Sequence, residues 1–138
     1  MFESYNLALL GVLMILATLV VQSLVATVTK AKQPGAIPGK IDESLGHDSF
    51  VFRSHRTVQN SLENLPAMLG TCVLAILAGA NPLWTGILVW TYALARIIHM
   101  VLYYKIATDI NPSPRSWFFL LGFFANVALL VLAGTALS

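Results

Sequence analysis

Four long runs of apolar residues, separated by shorter polar segments, dominate the chain. The first run, 7–28, carries no charged residue, and three further runs cover about 50–78, 83–104 and 115–137. A bilayer core about 30 Å thick needs roughly 20 residues of α-helix at about 1.5 Å of rise per residue. The pattern therefore predicts one transmembrane domain, 1–138, with membrane-spanning helices at 5–30, 50–79, 82–105 and 114–137.

The segments between these runs have the composition of loops and turns. Residues 31–49 contain Pro34, Pro38 and three acidic residues, and residues 106–113 contain Asp109 and Pro112. The connection between the second and third helices is only a few residues long and uncharged. Short connections favour antiparallel neighbours, so we expect an all-α four-helix bundle with up-down topology.

Composition points to lipid as a partner. The chain is 57% hydrophobic and only 10% charged, which leaves too few charges to cover the surface of a water-soluble domain. The net charge of +2 is small, and no basic run is interleaved with aromatic residues, so no nucleic-acid partner is expected. Cys72 is the single cysteine, which excludes an intrachain disulfide and a multi-cysteine metal site, and we expect no metal.

The distribution of lysines and arginines predicts the orientation in the membrane. Seven of the eight flank two of the three connections, namely Lys30, Lys32, Lys40, Arg53, Arg56, Lys105 and Arg115. Short cytoplasmic loops are enriched in these residues, so loops 31–49 and 106–113 are predicted to be cytoplasmic and both termini to lie on the other side. The expected location is a multi-pass integral membrane protein, in the cell inner membrane if the source is bacterial.

Helix 2 carries a polar stripe within its apolar run. Arg53, Arg56, Asn60 and Glu63 follow one another at spacings of three, four and three, which places them on one helix face. Ionisable groups at membrane depth are costly, so this stripe should face the bundle interior or a subunit interface. It is either an ion-pair network that ties helices together or the wall of an anion-binding cavity. The shortage of intramembrane acids opposite the arginines favours the cavity.

Helix 3 carries a second stripe, and helix 4 begins with a third cation. Tyr92, Arg96, His99 and Tyr103 share one face of helix 3, although a single histidine such as His99 is more often a hydrogen-bonded core residue than a catalyst. Ser113 and Pro114 form a favourable helix start directly before Arg115.

The start of helix 4 has two readings. Helix N-termini attract anions, so a thiol bound beside Arg115 would ionise more readily. Alternatively, the Arg115 side chain only reaches the lipid headgroups.

The helix 2 pattern, Arg53-x-x-Arg56-x-x-x-Asn60-x-x-Glu63-x-x-Pro66, resembles the signature of the membrane-associated proteins in eicosanoid and glutathione metabolism, the MAPEG family. Within that family it is most similar to the microsomal glutathione transferases. The helix 3 pattern Arg96-x-x-His99-x-x-x-Tyr103 and the pair Arg115-Ser116 match the family as well. The resemblance extends from about Lys30 to the end of helix 4.

The resemblance implies a homotrimer that uses glutathione as cosubstrate, bound between neighbouring subunits near the cytoplasmic side, and that takes a lipophilic second substrate from the membrane. It implies catalytic roles for Arg115, which would stabilise the thiolate, and for Tyr103. The glutathione-binding residues that it implies are Lys30, Arg53, Arg56, Asn60, Glu63, Arg96, His99, Tyr103 and Ser116.

Three functions are compatible with these residues. The first is a membrane-bound glutathione transferase, with possible peroxidase activity toward lipid hydroperoxides. Val58 and Gln59 stand where prostaglandin E synthase has polar or basic residues, which argues against that specialised isomerase. The second is a non-catalytic lipid-binding or scaffold protein of the same family. The third, a small transporter or proton relay, needs acidic or histidine residues across the bilayer, and helix 4 has none.

Overall fold

The computed structural model describes residues 2–138 and shows four long helices. They are α1 (Asn6–Ala31), α2 (Phe50–Leu77), α3 (Pro82–Lys105) and α4 (Pro114–Ala136), preceded by a short 3-10 turn at Phe2–Tyr5. All four are long and apolar enough to cross a membrane. The predicted all-α four-helix class is confirmed, and the predicted helix ranges differ from the observed ones by at most two residues at any end.

Local signals account for where α3 and α4 begin. The Asn81 side-chain oxygen accepts a hydrogen bond from the Trp84 backbone N–H at 3.1 Å, and Pro82 occupies the first turn of α3. At the start of α4, the Ser113 backbone N–H donates to the Ser116 hydroxyl oxygen at 3.0 Å. Both arrangements satisfy N–H groups that a helix start leaves without partners inside the helix.

Two helices, α2 and α3, each pack against all three of the others, and α3 has its most extensive contacts with α4 and α1. Small residues let α1 approach α3 closely: a Cβ added at Gly11 would lie 2.7 Å from the Val89 Cγ1, and one at Gly86 would lie 2.6 Å from the Leu7 Cδ2. The Trp90 indole N–H also donates to the Leu7 carbonyl at 2.9 Å. The pairing of α1 with α3 therefore combines close backbone approach with a side-chain hydrogen bond.

Apolar residues cover the outside of the bundle as well as its core. Leu13, Leu77 and Leu130 are each more than half exposed, and aliphatic residues also fill the buried core. A protein in water rarely leaves so large an apolar surface uncovered. In a bilayer, the hydrocarbon chains of the lipids cover it.

Candidate functional site

Polar and charged side chains collect at one end of the bundle, which we call the charged end. It consists of the last turn of α1, residues 50–63 of α2, residues 96–105 of α3, the first turn of α4, and the two loops 32–49 and 106–113. The opposite end, by contrast, contains the short turn between α2 and α3, where the Tyr5 hydroxyl donates to the Ala80 carbonyl at 2.5 Å. Apart from Glu3, every charged side chain of the described residues lies at the charged end.

Arg96 is the most deeply buried cation at this end, with 4% of its surface exposed. Its Nη2 donates to the Asn60 amide oxygen at 2.7 Å and to the Ser61 hydroxyl at 3.1 Å. Hydrogen bonds to neutral oxygens reduce the cost of burying a guanidinium but leave its full charge in place. The contact joins the predicted stripes of α2 and α3.

The α2 stripe divides into two parts. Arg53 and Asn60 contact α3, whereas Arg56 and Glu63 form an ion pair at 3.7 Å whose side chains are 39% and 56% exposed. In a single chain, half of the stripe thus faces the bundle and half faces outward. The outward half requires something other than lipid beside it, because charges in contact with hydrocarbon are costly.

Arg53 ties the first loop to α3. Its Nη1 donates to the carbonyls of His47 at 2.7 Å and Asp48 at 3.0 Å, and its Nη2 donates to the Tyr104 carbonyl at 3.3 Å. The last carbonyls of a helix have no partner within it, so the third bond also caps the end of α3. The terminal nitrogens of this arginine are therefore already engaged by the main chain.

Tyr103 and Arg115, the predicted catalytic pair, are brought together. The Arg115 Cζ lies 4.1 Å from the centroid of the Tyr103 ring, which is the geometry of a cation–π contact. Tyr103 is 6% exposed, and the buried His99 packs against its ring edge with 5.7 Å between the ring centroids. The aromatic side chains of α3 thus support the guanidinium from α4.

His47 and Asp109 also belong to this group, although no sequence pattern predicts a role for them. The His47 Nε2 lies 3.0 Å from the Tyr103 hydroxyl and 3.3 Å from the Arg115 Nη2, and its Nδ1 lies 2.6 Å from the Asp109 Oδ1. A sequence signal existed, since both residues lie in the two loops that the topology places at the same end. Neither loop has a periodic pattern that would have singled them out.

Lys30 and Ser116 lie apart from these contacts. Lys30 lines a cleft of about 660 Å³ under the first loop, together with Lys40 and Ile41. In the same loop the backbone N–H and the hydroxyl of Ser44 donate to Asp42 and lower the pKa of its carboxyl group. The Ser116 hydroxyl takes part in the cap at the start of α4.

The fold and the charged end define a class of protein: a multi-pass integral membrane protein with a polar site at one end of a four-helix bundle. Comparison of the sequence with family models gives a match to the MAPEG family over residues 7–135. The chain belongs to that family, as its motifs predicted. No curated protein and no solved structure matches it.

Proposed function

We propose that the protein is a membrane-bound glutathione transferase that conjugates the glutathione thiolate to lipophilic electrophiles. The unbalanced positive charge at the charged end carries this proposal. Of its four arginines, only Arg56 has a carboxylate within 4.0 Å in the part of the chain that the structure describes. Poorly solvated cations without counter-ions attract an anion, and membership in this family makes glutathione the candidate.

The chemistry of glutathione suits the arrangement of these groups. The tripeptide carries two carboxylates, one ammonium and one thiol. The Arg56–Glu63 pair offers a guanidinium for a carboxylate and a carboxylate for the ammonium, while Arg115 provides a cation for the thiolate. A purely structural ion-pair network fits less well, because Arg53, Arg96 and Arg115 have no acidic partner among the described residues.

The exposure of the Arg56–Glu63 pair supports assembly with further copies of the chain, and membership in the family makes a homotrimer the proposed assembly. A charged pair beside lipid is costly, whereas a second copy of the chain would cover it and enclose glutathione between subunits. Lipophilic substrates would then reach the thiolate laterally from the bilayer. In this assembly the site is complete only when subunits meet.

The proposed reaction begins with the glutathione thiolate as the nucleophile. The positive charge of Arg115 and the positive end of the α4 helix dipole stabilise the anionic sulfur. The sulfur attacks an electrophilic carbon, a C–S bond forms, and the leaving group departs with the electron pair of the bond that breaks. With a lipid hydroperoxide, the sulfur attacks the peroxide oxygen and releases the alcohol. A second glutathione then converts the sulfenic acid to a disulfide and water.

The proposal is tested by ultraviolet absorbance of the thiolate when glutathione is added to the purified protein, with binding followed by calorimetry. The wild type should bind glutathione and show the thiolate signal. Arg115→Ala should still bind glutathione but lose the signal about tenfold or more. Lys105→Ala is the matched control, since it removes a cation at the same end of the bundle that is not assigned to the site. Light scattering of the same sample should give three chains per particle.

Absence of both binding and thiolate in the wild type would contradict the proposal. Turnover of a model aryl halide separates the remaining alternatives. Glutathione binding without turnover would favour the non-catalytic lipid-binding or scaffold protein of this family.

A further inference from the structure

The side chain of His47 reaches from the first loop to three other elements at the charged end. Its ring contacts Tyr103 of α3, Asp109 of the loop 106–113 and Arg115 of α4. The ring is also packed edge-to-face against Phe52, with 5.0 Å between the centroids. Every polar contact of the ring is thus with a titratable or charged group.

The hydrogen-bond partners of the His47 ring determine which ring nitrogen carries the proton. Arginine only donates hydrogen bonds, so the contact at 3.3 Å between Arg115 Nη2 and His47 Nε2 requires Nε2 to be the acceptor. The proton of the neutral ring then lies on Nδ1, where Asp109 accepts it at 2.6 Å. Tyr103, at 3.0 Å from Nε2, can donate its hydroxyl proton to the same lone pair. This assignment comes from the hydrogen-bond network.

We propose that His47, oriented by Asp109, is a positioning residue that accepts the Tyr103 hydroxyl proton and thereby promotes ionisation of a thiol bound beside Arg115. The inference rests on the proposed function, since it names the group that removes the thiol proton. It adds two loop residues to a site otherwise built from helices.

Two proton transfers, from glutathione to Tyr103 and from Tyr103 to His47, produce the thiolate. The S–H bond of glutathione breaks and its proton passes to the Tyr103 oxygen, while the proton of Tyr103 passes to the His47 Nε2. The resulting imidazolium is stabilised by the Asp109 carboxylate. Once protonated, Nε2 no longer accepts from Arg115, so the guanidinium is released to pair with the thiolate. The extra proton leaves through Asp109, which is 88% exposed, and the leaving group of the electrophile carries away the negative charge.

Anchoring the loop does not by itself require the His47 ring. The loop is already held by Arg53, which donates to the carbonyls of His47, Asp48 and Tyr104. Those bonds are made to the main chain and persist when the ring is replaced. The contacts of the ring are therefore available for chemistry.

The pH dependence follows from the groups that face His47 from each element. These are Arg53 of α2, Tyr103 of α3, Asp109 of the loop 106–113 and Arg115 of α4. A proton acceptor among these groups lets the bound thiol ionise at a lower pH than it would without one. Without His47 the thiolate titration should therefore move to higher pH.

The test compares His47→Gln and Asp109→Asn with His55→Gln, which replaces a second histidine near the start of α2. Thiolate absorbance is recorded against pH on the full-length protein, and calorimetry reports glutathione binding and hence folding. For His47→Gln we expect glutathione affinity within about threefold of wild type, a thiolate titration moved to higher pH, and a conjugation rate lower by about 10²-fold. Asp109→Asn should change both quantities in the same direction but less. His55→Gln should match the wild type.

The outcomes separate this inference from the proposed function. A wild-type titration profile in His47→Gln or in Asp109→Asn, with binding retained, would overturn the role of His47 and leave the transferase proposal standing. Asp109 is largely exposed, so its variant remains informative even when His47→Gln fails to fold. Loss of glutathione binding in the wild type itself would overturn both.

Discussion

Arg96 shows how a single residue keeps its charge inside the bundle. A buried guanidinium is tolerated when hydrogen bonds offset part of the cost of burial, and here a primary amide and a hydroxyl accept from Nη2, while Nε has no partner among the described residues. A carboxylate in the same place would have cancelled the charge and left nothing to attract an anion. Neutral acceptors therefore stabilise the buried guanidinium without cancelling its positive charge.

Removing the amide acceptor should destabilise the bundle. We expect Asn60→Ala to lower the stability by about 1–3 kcal/mol, because it leaves the buried Arg96 with one fewer partner. Thermal unfolding in detergent measures the effect. Asn64→Ala is the matched control: the Asn64 amide bonds only to the Asn60 carbonyl of its own helix, at 2.7 Å. Equal losses in the two variants would contradict the importance of the Arg96 contact.

At the scale of elements, α1 and α3 pack closely because each has a glycine at their contact surface. Two helices in lipid gain little from the hydrophobic effect, so close packing and hydrogen bonds must hold them together. Gly11 on α1 faces the branched side chain of Val89, and Gly86 on α3 faces Leu7. Because each glycine receives a side chain from the other helix, the two contacts also determine the register between α1 and α3.

A methyl group at the first of these contacts should disrupt that register. Gly11→Ala would place a Cβ 2.7 Å from the Val89 Cγ1, and overpacking of this kind costs about 1–3 kcal/mol. Thermal unfolding in detergent should therefore show a clearly lower midpoint. Gly134→Ala in α4, where a Cβ would meet nothing within 4 Å, should leave the midpoint unchanged or slightly raised. A lower midpoint in both variants would show that close packing is not the cause.

The whole molecule is polarised between a charged end and an apolar end. Its orientation in the membrane remains a prediction from the seven cations that flank the two loops of the charged end. Ser44, in the first loop, and Ser138, after α4, lie at opposite ends of the bundle and are both exposed. They offer a direct test of the orientation.

Single cysteines at these positions should react from opposite sides of the membrane. Cys72 is only 2% exposed, so Cys72→Ala gives a background without other reactive thiols. On this background we expect Ser138→Cys to react with an impermeant maleimide in intact cells, and Ser44→Cys to react only after the membrane is opened. The reverse pattern would place the charged end outside and would contradict the predicted orientation.

Sequence patterns predict this fold well because the bilayer sets the length of each apolar run. They predict less of the site. Arg96 and Asn60 each lie on a predicted polar stripe. Their contact also depends on the rotation of α2 and α3 about their own axes, which the residue spacing within a stripe does not determine. The place of His47 in the site is not predictable for a different reason. Its position depends on the path of a loop held by Arg53, and loops lack the periodic spacing of apolar residues from which helices are predicted. The hydroxyl of Ser116 was assigned to glutathione, yet it also caps α4.

Under the proposed function, the lysines of the charged end affect the local concentration of glutathione. A cytoplasmic leaflet rich in anionic lipid has a surface potential of about −30 mV, which reduces the concentration of a monovalent anion beside it to roughly a third of the bulk value. Lys30, Lys32, Lys40 and Lys105 lie at this end. With the charged end on the cytoplasmic side, their charges oppose the leaflet potential and keep the local concentration of the anionic tripeptide closer to that of the surrounding solution.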